Sequence, residues 1–109
     1  MRRVDEAVRE VLSDAITTQL KDPRVGFVTV TAVETAPDLR RARVYVSVLG
    51  SQSVRKRSMQ GIRSAHGILQ RAVASELRLK HTPTLEFVYD DTSERGMRIS
   101  ELIDREAGE

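Results

Sequence analysis

The sequence predicts an α+β domain in which helices cover one face of a three-stranded sheet. Three observations predict it. Apolar residues recur at helical spacing at the start of the chain, through a long central stretch and again at the end. Between these lie three short runs in which β-branched and aromatic residues alternate with polar ones. The chain has 109 residues, 39% of them apolar and 31% charged, which suits one domain with a modest core. The order is α-β-β-α-α-β-α, and residues 1–109 read as a single domain.

The first helix, "VDEAVREVLSDAITTQL", places Val4, Val8, Val11, Leu12, Ala15, Ile16 and Leu20 on one face. Asp5 and Glu6 suit the positive end of its dipole, and Pro23 stops it by Asp22. Arg2 and Arg3 read as a frayed basic terminus. "FVTVTAVETA" is a strand in which Val28, Val30 and Ala32 alternate with Thr29, Thr31 and Val33. "PDL" is turn chemistry. "ARVYVSVL" is a second strand, with Ala42, Val44, Val46 and Val48 opposite Arg43, Tyr45 and Ser47, and the two form an antiparallel hairpin. A helical pattern runs from about Gln52 to Lys80. "TLEFVYD" is the third strand, parallel to the second because a long helical crossover joins them. "DDTSERGMRISELIDREA" is the last helix, with Asp91 and Glu94 approximating a capping box.

Charge is unevenly distributed. Between Arg40 and Lys80 there are ten Lys or Arg and one acid, Glu76, whereas the flanking segments are net acidic. Such polarity predicts a polyanionic partner. There is no cysteine and there are two histidines, which leaves no thiolate chemistry and little for an imidazole metal site. No run has the length and apolarity of a membrane span or signal peptide, so a cytoplasmic protein is expected.

On an ideal helical wheel, Ile62, Ala65, Leu69, Ala72 and Val73 of the central segment cluster on one side. Arg55, Lys56, Arg63, Arg71 and Arg78 fall on the other, with Gly67 inside the basic arc. Glu76 lands on the apolar side, which a kink near the glycine would correct. A helix-interior glycine costs about 1 kcal/mol relative to alanine. Here it would let a phosphate backbone approach closely between flanking arginines. The alternative is tight packing against a neighbouring element. Gly61, the comparison, is read as an irregularity near the helix start.

The predicted phosphate-contact set is Arg55, Lys56, Arg57, Arg63, Arg71, Arg78 and Lys80 around Gly67, with Arg40, Arg41 and Arg43 of the hairpin as a second tier. The cations would bind phosphates rather than read bases. His66 borders the apolar face, where a structural role competes with RNA contact. His81 would join the basic surface when protonated. Phe27, Phe87 and Tyr89 are expected in the core, leaving Tyr45 as the sheet's one stacking candidate, so the helix pair is the better platform. The rival reading is Mg²⁺-dependent phosphodiester cleavage at Asp90, Asp91 and Glu94. Two of these already have a capping role, and no other acid is brought to them.

Four stretches, "DPRVGFVTVTAVE", "DLRRARVYVSVLG", "SAHG" and "LRLKHTPTLEFVYDDTSERGMRISELI", span nearly the whole chain. In them the chain resembles the ribosome-binding factor A family, bacterial small-subunit assembly factors with a K-homology-like fold of the second topology. The resemblance implies that an interhelical kink, Ala65-His66-Gly67, replaces the GxxG loop by which K-homology domains grip nucleic-acid backbone. It also implies a non-enzymatic factor with no cofactor or metal that binds free 30S subunits through 16S rRNA. Late assembly, 16S 5′-end processing and growth in the cold would depend on it. Small-subunit proteins and an assembly GTPase are implied as further partners. The chain stops at Glu109, short of the extended tail many relatives carry. A monomer is expected, since no apolar stripe is left over once the helices cover the sheet.

Overall fold

The computed structural model describes residues 2–78 and 81–91. The expected last helix, Lys80 and Glu94 lie outside them. The described elements are α1 (Arg2–Thr18), β1 (Val28–Thr35), β2 (Arg41–Val48), α2 (Gln52–Ser64), α3 (His66–Leu77) and β3 (Thr84–Tyr89). The sheet order is β1-β2-β3, with β1 antiparallel and β3 parallel to β2. That is the α+β arrangement read from the sequence.

Helix α1 lays Val8, Leu12, Ala15 and Ile16 into the core. It begins at Arg2, so Arg2 and Arg3 form its first turn rather than a frayed end. The Asp5 carboxylate reaches across to β1, accepting from the Thr35 amide (3.0 Å) and the Thr35 hydroxyl (2.5 Å).

Strand β1 departs from simple alternation. Its register shifts between Val30 and Ala32: Val30 pairs with Val46 and Ala32 with Tyr45, leaving Thr31 as the extra residue. Beyond the bulge, Val33 and Thr35 turn inward while Ala32 is exposed, against the alternation expected. The bulge thereby buries a valine where plain pairing would bury an alanine. At about 0.8 kcal/mol per buried methylene-sized group, the larger side chain decides the register.

The covered face carries Val30, Val33, Ala42, Val44, Val46, Val48, Leu85 and Phe87, closed over by Met59, Ile62, Leu69, Ala72 and Val73 of the central helices. No described element covers the other face, which bears Glu34, Arg43, Tyr45 and Glu86.

Candidate nucleic-acid interface

Helix α2 starts after Leu49-Gly50, where Gly50 has φ +138°, a conformation that favours glycine. Ser51 caps the helix, its Oγ accepting from the Val54 amide at 3.3 Å. Crossover geometry then lays α2 along β3, the edge strand parallel to β2. Between them runs an open groove of about 800 Å³ lined by Gln52, Ser53, Arg55, Lys56, Met59, Gln60, Arg63 and Tyr89.

Helical spacing explains the lining. Arg55, Met59 and Arg63 lie at i, i+4 and i+8, with Lys56 and Gln60 beside them. The Arg55 guanidinium stands 5.1 Å from the centre of the Tyr89 ring, a cation–π arrangement. Arg63 donates to the Phe87 carbonyl at 3.3 Å. Both contacts orient the arginines along the groove. The sequence placed Tyr89 in the core; it is instead half-buried beneath Arg55. No acid occurs between Arg40 and Glu76, so α2 presents cations unopposed by carboxylates of its own. Chemically, such a groove suits phosphates.

The helical segment breaks at Ala65 (φ −89°, ψ 13°). The break is one residue wide, since the Ala65 amide still donates to the Gly61 and Ile62 carbonyls (both 3.1 Å) and its carbonyl accepts from Leu69. Glu76 is exposed although it shares the face of Leu69, Ala72 and Val73 within α3, and the break at Ala65, which precedes all four, does not account for it. His66 turns toward the sheet: its Nε2 lies 2.9 Å from the Leu85 carbonyl and its ring meets Phe87 edge-on. The structure thus gives His66 a packing role. Gln70 completes the seam, donating to the Pro83 carbonyl (2.7 Å) and accepting from the Leu85 amide (3.0 Å). No pattern in the sequence marked Gln70.

The two glycines differ in what surrounds them, and only Gly61 departs from its reading. Gly67 is exposed, and a Cβ there would meet only an Arg71 nitrogen, at 4.0 Å. Arg71 donates to the Gly67 carbonyl at 3.2 Å, so the arginine sits over the bare backbone. Gly61 is the packed one. It lies well inside α2 rather than near its start, and a Cβ there would stand 2.6 Å from Val25 Cγ2.

The other expected contacts disperse. Arg57 is exposed on the opposite flank of α2, away from the groove. Arg71 and Arg78 are exposed on α3, where Arg78 ends the helix with φ 45°. Ala65 is half-buried and His81 exposed. Arg40 and Arg41 are exposed at the far end of β2. Arg43 lies on the sheet face opposite the described helices, between Glu34 and Glu86, its register partners. Tyr45, then Glu86 and Glu34, hold its proton more tightly than usual. With Tyr45 donating to Glu34 at 3.4 Å, that face carries both signs of charge. Asp90 accepts from the Thr31 hydroxyl at 2.5 Å. Among the described residues, no three His, Asp or Glu side chains gather where they could hold a metal ion.

A sequence model described as Ribosome-binding factor A matches residues 1–103. The chain belongs to that family. It is 51% identical over 106 residues to a ribosome-binding factor A from Anaeromyxobacter sp. (strain K), covering 96% of this chain and 76% of that one. Its fold is similar to the crystal structure of ribosome-binding factor A from Thermus thermophilus (TM-score 0.71, 26% identity, 81% of this chain and 93% of that one). It is also similar to a homology model of the Thermus thermophilus protein fitted into a cryo-EM map of a 30S complex (TM-score 0.68, 27% identity, 81% and 92% covered). No described helix is long and apolar enough to cross a membrane.

Proposed function

We propose that the chain is a non-enzymatic assembly factor of the cytoplasm that binds the free 30S subunit through phosphates of 16S rRNA. The observation that carries this reading is the α2 groove, whose lining holds no acid and carries Arg55, Lys56 and Arg63, with the exposed Gly67–Arg71 step following on α3. Family membership and the 30S complex of the Thermus relative support it. A protein that binds an immature rRNA conformation better than the mature one shifts the population toward it and leaves as mature contacts form. Support of 16S 5′-end processing and importance in the cold follow the same logic, because low temperature overstabilises misfolded RNA helices.

The test is co-sedimentation with purified ribosomal particles at two salt concentrations, wild type against Arg63→Glu/Arg71→Glu. Co-migration with free small subunits, weakened by salt and lost in the double variant, is the expected result. Binding that survives charge reversal moves the site off the helices. A deletion strain that grows normally in the cold, with mature 16S 5′ ends, sinks the processing role.

A further inference from the structure

Among the described residues, the two most exposed large apolar side chains stand together outside the groove. Phe27 is 82% exposed and Leu49 76%, and the Leu49 amide donates to the Phe27 carbonyl at 3.0 Å. Val54 of α2 lies beside them, against Gly26 and Gly50. Phe27 was expected in the core, and Leu49 breaks the expectation that no apolar surface is left over. A lone exposed leucine is ordinary, but an aromatic ring held out beside two more apolar groups marks a contact surface.

The backbone that carries Phe27 is tied down by hydrogen bonds. The preceding loop closes on itself: Asp22 accepts from the Arg24 amide (2.9 Å) and grips the Arg24 guanidinium through both carboxylate oxygens. Ser58 of α2 then stitches the loop down, accepting from the Gly26 amide (3.1 Å) and donating to the Arg24 carbonyl (3.2 Å). An aromatic on such a mount loses little entropy on binding.

Charge decides the partner. Arg24 neutralises Asp22, the acid of this loop. Arg57, one turn beyond Val54 on the same flank of α2, is exposed, and α2 contributes no carboxylate. An apolar ring on the flank of α2 that also carries a cation suits an unstacked nucleobase with its phosphate, because every base offers a π-face and every nucleotide a negative charge. We propose that Phe27 is a stacking platform for an unpaired rRNA base whose backbone phosphate meets Arg57. This rests on the rRNA reading above. It gives Arg57 a partner that the groove does not, and makes α2 a two-flanked element with phosphates on one side and a splayed base on the other.

The test compares wild type, Phe27→Trp and Phe27→Leu for co-sedimentation with free small subunits. In parallel, p-benzoylphenylalanine is placed at position 27 and irradiated on the same subunits. Tryptophan retains binding, leucine lowers it about tenfold, and the photoproduct is RNase-sensitive. Circular dichroism checks that all variants fold. Binding by Phe27→Leu equal to wild type, or a crosslink to ribosomal protein alone, overturns the stacking while leaving subunit binding intact. Failure of the wild type itself to co-sediment overturns the rRNA reading and this one with it.

Discussion

Val25 fills the space that a side chain at position 61 would need. A Cβ on Gly61 would stand 2.6 Å from Val25 Cγ2, closer than real Cβ atoms approach. Asp22 lies next along the same contact, at 3.4 Å. The loop that presents Phe27 therefore seats against α2 through a missing side chain.

Gly61→Ala is expected to destabilise the fold. Overpacking costs about 1–3 kcal/mol, more than the roughly 1 kcal/mol of helix propensity that alanine returns. Urea unfolding of Gly61→Ala and of Val25→Ala/Gly61→Ala checks this: trimming Val25 should recover part of the loss. A single variant as stable as wild type would show that the loop yields freely.

Gly67→Ala should behave oppositely. The position is open, so alanine stabilises by about 0.5–1 kcal/mol through helix propensity. Binding to small subunits should nonetheless weaken, because the added methyl stands where backbone is to approach Arg71. Paired thermal unfolding and co-sedimentation give the answer. A variant that is both more stable and binds as well as wild type removes Gly67 from the interface.

The Asp22–Arg24 lock predicts a pH dependence. Hydrogen bonds from the Arg24 guanidinium and amide hold the Asp22 carboxyl at about 2, against an ordinary 3.8. A depressed carboxyl contributes stability that is fully present above the unfolded value and is lost as pH falls through the folded one. The stability gap between wild type and Asp22→Asn should thus be constant near neutrality and close between 3.8 and about 2. Denaturant unfolding across that range measures it; a gap independent of pH would mean that the carboxylate gains nothing from its partner.

His66→Ala should lower stability, by about 1–2 kcal/mol, through loss of the Leu85 hydrogen bond and the edge contact with Phe87. Any loss of subunit binding should track the unfolded fraction and vanish at a temperature where the variant is folded. A well-folded variant that no longer binds would show that His66 contacts RNA as well as packing against β3.

By itself the sequence determined the order of the described elements and the parallel crossover, while the break at Ala65 was what the family resemblance implied. Hydrophobic period and turn residues are local signals, and they suffice for the order and the crossover. The excess of cations over residues 40–80 was likewise plain. Only the tertiary structure decided which cations work together. Arg55, Lys56 and Arg63 share a groove because β3 lies beside one flank of α2, whereas Arg43, in the same basic segment, is enclosed by carboxylates from two neighbouring strands. Gly61 proved to be a packing glycine for the same reason, since what a missing side chain admits depends on which element stands opposite. Phe27 looked like a core aromatic because strand alternation says which residues share a side, not where the covering helices end. The one-residue bulge after Val30 then shifted which side later residues occupy. Chain-local patterning fixes faces and periods; the partner across each face is set by packing between residues far apart in the chain, and the sequence does not encode that locally.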